Sequence, residues 1–450
     1  MLPDPHFALK TLKTMDLSTF NQCFFDFLES CPTPFHTTSF IASKLQEAGF
    51  TALTENEPWQ INSSTGYYCC RDNGSIIAFK SSPESSLDSP WRMCGSHCDS
   101  PALQVKPNAV RKAVHAMDQL CVEVYGGPLL GTWFDRDLGI AGRVTLVDDT
   151  GQILFRTIDF KRPMAIIPSL AIHLDKTANK DHTIEKQKHL YPLLCQSHDN
   201  NLSVKELLLK QLGHQYSDLS NTKILGYDLF CYDTQKPALI GTNRDFIAAG
   251  RLDNLTSCYV GFKALLEDNL TDNCLLLCSN HEEIGSSSVA GAQGNFLRSI
   301  LGRLLPDISL KSRIMNKSFF ISMDNSHAVH PNFAEKYDSQ HLPLLNHGPV
   351  IKYNSNQRYA TTSRSAAPYQ ILCNEVDVPH QSFVMNNDMM CGATIGPIAA
   401  TTLGVQTVDI GVPSLAMHSI RETTGSKDPY MLYQTICHYF TRSQLPQACN

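Results

Sequence analysis

Apolar side chains recur at helical spacing in Leu17–Glu29, where Phe20, Phe24, Phe25 and Leu28 form a stripe that Cys31-Pro32-Thr33-Pro34 brings to an end. The spacing predicts a second helix over Thr38–Ala48, burying Phe40, Ile41 and Leu45 and stopping at Gly49. Strand-like pieces follow at Gly66–Arg71 and Ser75–Lys80, joined by the turn Asp72-Asn73-Gly74. From about Lys106 to Asn243 the texture changes. Alternation marks Gln119–Tyr125 and Arg143–Val147, and Asp148-Asp149-Thr150-Gly151 then returns the chain through Gln152–Ile158 as a hairpin. An apolar run, Ala165–Leu174, contains His173, and the polar Asp175–Leu190 reads as a loop.

After Ala248-Ala249-Gly250 a helical stripe returns at Leu255, Cys258, Phe262, Leu265 and Leu266. Cys274–Cys278, Ser318–Met323 and Thr407–Val412 read as buried strands. A last helix starts near Pro429, a first-turn proline, and buries Leu432, Ile436 and Phe440. Apolar runs alternating with helical patterns imply an α/β fold, a mostly parallel mixed sheet sandwiched by helices. The expected organisation is a first α/β segment over 1–105, an inserted β-rich domain over 106–243 and a second α/β segment over 244–450.

Composition narrows the class. At 450 residues, with 42% hydrophobic and 18% charged, the chain suits a globular protein of one large domain plus a second. A net charge of −6 and the lack of a basic run argue against a nucleic-acid partner. The most apolar windows fall far short of the roughly 20 residues a membrane-spanning helix needs. Met1-Leu2-Pro3-Asp4-Pro5-His6 does not look like a secretory leader, so a cytoplasmic protein is expected. The sixteen cysteines are scattered, several inside apolar runs, and contain no CxxC pair, so they read as small core residues.

The candidate chemistry lies where predicted strands run out. Cys278-Ser279-Asn280-His281-Glu282-Glu283-Ile284-Gly285 carries two adjacent carboxylates at the end of a buried run. On an extended chain neighbours point opposite ways, so one could bind a metal while the other faces a water. Alone, the pair reads as a solvated acidic turn. Its company changes that reading: His97-x-Asp99, Asp253 just before a helix, Asp324 after Ser318–Met323, and His418 beyond Thr407–Val412. In open α/β sheets ligands bind beyond the carboxyl ends of the strands. Two His and several carboxylates there suit a pair of divalent ions, one carboxylate bridging them and one left free as a base. Asp99 could also fix the tautomer of His97.

Together His97-x-Asp99, Arg251-Leu252-Asp253-Asn254, Glu282-Glu283-Ile284-Gly285-Ser286, Asp324-Asn325-Ser326-His327-Ala328-Val329-His330-Pro331 and Leu415-Ala416-Met417-His418-Ser419-Ile420-Arg421-Glu422 resemble the aspartyl aminopeptidase family, peptidase family M18. Gly348–Lys352, Asn387-Asp388, Cys391–Pro397 and Thr132–Leu138 extend the likeness over nearly the whole chain. The resemblance implies a dinuclear metallo-aminopeptidase that removes N-terminal Asp or Glu from short peptides. In it Asp253 bridges two ions, zinc first with cobalt or manganese as alternatives. Glu283 and His418 complete one ion, and His97 with Asp324 the other. Glu282 is the general base and Asp99 orients His97.

The same resemblance makes the insert a dimerisation domain within a tetrahedral dodecamer, from which His173 reaches a neighbouring subunit's site to stabilise an oxyanion. It makes Lys352 the cation for an acidic substrate side chain and favours His330 over His327 as a subsite residue. His281 stands where some relatives carry Asn, and Ala393 where they carry Thr or Ser; neither removes a ligand. Two rival expectations are a same-fold aminopeptidase of neutral or apolar preference and a non-catalytic self-assembling shell protein.

Overall fold

A computed structural model describes residues 15–62, 65–181, 183–197, 203–217, 219 and 222–446. The six N-terminal residues read for a leader lie outside them. The first helix, Leu17–Ser30, is capped by Asp16, whose carboxylate accepts from the Thr19 amide at 2.9 Å. It buries Phe20, Phe24, Phe27 and Leu28, each worth roughly 1.5–3 kcal/mol when fully removed from water. The second helix starts four residues earlier than its stripe suggested, at Pro34, and runs to Glu47. The prolines that end one helix therefore also start the next, since Pro is preset for a first turn.

Nine strands form the main sheet, in the order 51–53, 67–71, 75–81, 273–279, 91–97, 319–323, 406–411, 350–353 and 381–384. Its centre is parallel: Asn273–Ser279, Trp91–His97, Phe319–Met323 and Gln406–Gly411 all run the same way. Trp91–His97 and Asn273–Ser279 are buried at every residue, as strands covered on both faces must be. Helices 17–30, 34–47, 252–265 and 428–441 cover one face through Phe24, Leu255, Tyr259 and Ile436. Helices 296–304, 308–317 and 395–403 cover the other through Ile300, Ile314 and Ile395.

A second, six-stranded antiparallel sheet has its own core around Leu103, Trp133, Leu146 and Leu229. Its strands begin at Ala102 and end at Asp233. The hairpin read at 143–158 is Leu138–Val147 paired with Ile153–Asp159. The apolar run from Ala165 touches this sheet only at its start, where Ala165 bridges to Leu138 and Ile166 to Leu193. It is a looped segment in which Leu170, Ile172 and Leu174 stand exposed. A third sheet of five short strands, 238–240, 246–249, 422–425, 413–415 and 326–327, folds beside the carboxyl edge of the main one. Every cysteine among the described residues is free. No described helix is long and apolar enough to cross a membrane.

Candidate metal centre

His97 is the last residue of the central strand Trp91–His97, level with Ser279 on the neighbouring parallel strand. Its Nδ1 lies 3.0 Å from the Asp99 carbonyl oxygen, which leaves Nε2 facing outward. That Nε2 is 3.4 Å from Asp253 Oδ1 and 3.6 Å from Asp324 Oδ1. Asp253 opens the helix Leu252–Leu265, and Asn254 ties that helix down by donating to the Met323 carbonyl at 2.8 Å. Asp324 follows Phe319–Met323 directly. A Cβ on Gly411 would sit 1.9 Å from the Asp324 carbonyl oxygen, so only glycine lets the two segments come this close.

The other oxygen of Asp253, Oδ2, is 3.5 Å from His418 Nε2, and Glu283 Oε2 is 3.3 Å from the same nitrogen. One carboxylate thus faces a histidine with each oxygen, the geometry a bridge between two cations requires. His418 does not stand at the end of a main-sheet strand, as its place in the sequence suggested. It sits in the turn between Pro413–Leu415 and Glu422–Gly425 of the third sheet, at φ 67°, and that turn brings it over the edge.

The Glu282-Glu283 pair is not extended either. After His281 at φ 64°, residues Glu282–Ile284 form a single 3₁₀ turn that Gly285 ends at φ 93°. The two carboxylates follow each other around a tight turn instead of alternating along a strand, and an oxygen of each lies within 4.8 Å of the other and of a His97 ring nitrogen. Asp99, fully buried, builds this turn: its Oδ1 accepts from the Glu282 amide and its Oδ2 from the Glu283 amide, both at 3.1 Å. The carboxylate lies 3.5 Å from His97 Nδ1, farther than either amide.

The electrostatics follow from crowding. Burial pushes Glu282 up to about 7, with Asp324, Asp99 and Asp253 adding to the effect and His97 opposing it. Burial and Asp253 hold Glu283 well above the ordinary carboxylate range. Burial disfavours protonated His97, yet Asp253, Asp324, Asp99 and Glu282 together raise it well above the ordinary histidine value. His418 is likewise raised to about 10, burial being outweighed by Asp253 and Glu283. Carboxylates reluctant to ionise beside histidines eager for protons describe a pocket short of positive charge.

The donor set fits cations. His97, Asp253 and Asp324, and again Asp253, Glu283 and His418, bring their ligand atoms within 4.8 Å of one another. Asp253 Oδ1 and Glu283 Oε1 are buried with no hydrogen-bond partner, a costly arrangement unless something positive meets them. Glu282 Oε2 is 4.0 Å from His97 Nε2, at the edge of the cluster where a base would stand.

The remaining expected residues divide. Lys352, 1% exposed, points its Nζ to Asp324 Oδ2 at 3.4 Å and to the Asn325 carbonyl at 3.3 Å, over the Tyr359 ring. His330 lies farther out, its ring 4.9 Å from Phe333 and its Nδ1 accepting from Asn332. His327 stands nearer the cluster. Burial first, then the charges of Lys352 and His418, lower its pKa against the pull of Asp253 and Asp324. His173 is exposed in the looped segment after Ala165 and does not enter the cluster of its own chain.

Sequence reading passed over Glu422. It is buried, and its Oε2 accepts from the Asp253 amide at 2.9 Å while its Oε1 accepts from the His418 amide at 2.8 Å. One carboxylate thus fixes two ligands far apart in sequence. The only local signal was its spacing, four residues after a candidate histidine.

Comparison with known proteins agrees with this chemistry. Residues 27–440 match the model of the family described as Aminopeptidase I zinc metalloprotease (M18). A probable M18 family aminopeptidase 2 of Azotobacter vinelandii is 48% identical over 427 residues, covering 95% of this chain and 99% of the relative. The protein of the same description from Pseudomonas fluorescens strain SBW25 is 49% identical over 427 residues, with the same coverage. Among solved structures, Ape4 in its complex with Nbr1 is similar at 35% identity with a TM-score of 0.90, over 94% of this chain and 86% of that one. The S. cerevisiae mApe1 dodecamer is similar at 26% identity with a TM-score of 0.80, over 94% and 96%. The chain belongs to peptidase family M18 and is a metallo-aminopeptidase.

Proposed function

We propose that this aminopeptidase removes N-terminal Asp or Glu from short peptides in the cytoplasm. The observation that carries the acidic preference is Lys352, a buried cation whose Nζ is 3.4 Å from Asp324 Oδ2 at the rim of the metal ligands. A carboxylate brought beside it from a substrate gains a charge-assisted hydrogen bond in a dry setting. Asp253 would bridge two divalent ions, zinc by preference, held further by Glu283 and His418 on one side and His97 and Asp324 on the other. Such ions, when bound, polarise the scissile carbonyl and make the attacking water more acidic.

Glu282 takes the proton from that water and returns it to the leaving amine. Its place at the edge of the cluster, Oε2 4.0 Å from His97 Nε2, suits both halves of that exchange. Asp99 keeps His97 and the Glu282 turn in register. In a homo-oligomer, up to the dodecamer reported for mApe1, the exposed turn bearing His173 would meet a neighbouring copy through Leu170, Ile172 and Leu174. His173 would then stabilise the oxyanion across the contact, the inserted sheet would serve dimerisation over 106–243, and His330 would line an outer subsite.

A second reading, neutral or apolar preference, draws on the same lysine: its charge is already met by Asp324 and the Asn325 carbonyl. Hydrolysis of Asp-, Glu- and Leu-initiated peptides by metal-reconstituted protein separates the two. The acidic reading expects Lys352→Ala to lose about 10-fold or more in kcat/KM on Asp and Glu peptides, about one charge-assisted bond, with little change on Leu. Equal loss on all three peptides overturns it.

A further inference from the structure

We propose that Tyr125 and Gly126, in the segment that leaves strand Met117–Tyr125 of the six-stranded sheet, are positioning residues for catalysis in their own chain. They would set the Glu282–Glu283 turn, while the next residues set His418. The kinetic part of this proposal rests on Glu282 being the base; the structural part does not.

Tyr125 is 8% exposed, and its hydroxyl donates to Asp99 Oδ2 at 2.7 Å. The same oxygen accepts from the Glu283 amide and its twin from the Glu282 amide. The tyrosine therefore acts on the turn through a carboxylate that has no freedom of its own, buried and bonded on both oxygens. Its ring is wedged edge-on against Phe230 at 5.5 Å, which fixes the hydroxyl's direction. This oxygen is thus shared between the turn that follows a main-sheet strand and the end of a strand of the other sheet.

Gly126, at φ 71°, continues the contact. A Cβ there would lie 3.2 Å from Glu283 Cβ and 3.3 Å from the Glu283 carbonyl oxygen. One residue on, the Gly127 carbonyl faces His418 Nδ1 at 3.1 Å. A proton on Nδ1 donated to that carbonyl leaves the Nε2 lone pair directed at Asp253 and Glu283, the state a metal ligand needs. Leu129 then donates from its amide to the His418 carbonyl at 2.8 Å, and Thr132 Oγ1 accepts from the Ile420 amide at 3.0 Å. A stretch of eight residues thus braces the ligands on the His418 side and the base beside them. None of these contacts touches Lys352, so their loss should weaken the chemical step more than substrate binding.

Tyr125→Phe tests this with the ring and its packing retained. The full-length, metal-reconstituted variant is expected to lose about 10-fold in kcat with KM within about 2-fold, since small misplacement of a base is costly to rate. Its Co²⁺-substituted form is expected to bind as much metal as the parent but to show an altered visible absorption band. Gly126→Ala reads the same contact from the other side and is expected to weaken metal binding about 10-fold, as loss of ligand orientation does. Parental kcat together with a parental cobalt spectrum in Tyr125→Phe overturns the proposal. So does a loss of kcat that tracks only a lowered unfolding temperature. Glu282→Gln, run alongside, separates the two claims: brisk turnover in that variant sinks the base assignment, while the cobalt spectrum still reports whether Tyr125 holds the turn.

Discussion

The two sides of the candidate metal centre are built in different ways. His97 closes a fully buried parallel strand, with a side chain 2% exposed and its Nδ1 satisfied by a carbonyl two residues away. His418 is 31% exposed and stands on a left-handed residue of a small sheet. It is held by Gly127, two residues beyond a strand of the antiparallel sheet, and by Glu422 from the strand that follows. The first ligand is placed by the core of the main sheet; the second is placed by a convergence of short segments. The His97 side is thus closed off by the core, while the His418 side, 31% exposed, opens to solvent.

The strongest way to break this contrast is to remove what both sides share. Asp253→Asn is expected to release metal from both sides and to cost more than about 10³-fold in kcat/KM, beyond the 10–100-fold that follows from disturbing a residue that only orients a ligand. Metal content per chain by atomic spectroscopy checks it; retention of two ions would show that the bridge is not needed.

A middle-sized effect should separate the sides. Both oxygens of Glu422 accept from amides, so the amide of Glu422→Gln must turn a donor toward one of them. Metal affinity is expected to fall about 10–100-fold, with the more weakly held ion lost first from the His418 side. Calorimetric titration of metal-free protein resolves the two steps. Equal weakening of both would mean that the two sides are not independent.

The smallest effect concerns the seam between the main and antiparallel sheets, where His36 lies beside Asp159, Lys161 and Arg251 with Nδ1 2.8 Å from Thr33 Oγ1. Burial chiefly, with Lys161 and Arg251 assisting against Asp159, lowers its pKa to about 4. The unfolded chain therefore takes up a proton near the ordinary value of about 6.5 while the folded chain does not. Stability from this group is present above that value and is lost as pH falls toward about 4. Thermal unfolding of His36→Gln across pH 4–7 is expected to show a shallower decline than the parent, and a parallel decline would remove His36 from the seam.

Much of the main sheet was legible in the chain. The runs at 274–278, 318–323 and 407–412 fall on strands Asn273–Ser279, Phe319–Met323 and Gln406–Gly411 because strands buried on both faces must be apolar throughout. The family likeness rested instead on the polar motifs beyond such runs, among them Glu282–Ser286, Asp324–Pro331 and Leu415–Glu422, and the M18 assignment agrees with it. The conformation of Glu282–Ile284 was not legible. A two-residue acidic motif has no periodicity to read, and its turn is imposed by Asp99, more than 180 residues away in sequence. Nor was the course of Ala165–Leu174, where Ala165 and Ile167 join the core while Leu170, Ile172 and Leu174 point outward in a loop.

By itself the sequence determined which side chains could do the chemistry and which apolar runs would be buried, since both depend on residue type and short-range spacing. It did not determine how those side chains meet. The shared Asp253, the Glu422 bond that joins two ligand amides, and the Tyr125–Asp99 link to the acidic turn each join segments more than 20 residues apart. Such contacts leave no period in the chain, because their geometry comes from how the three sheets pack and not from any one of them.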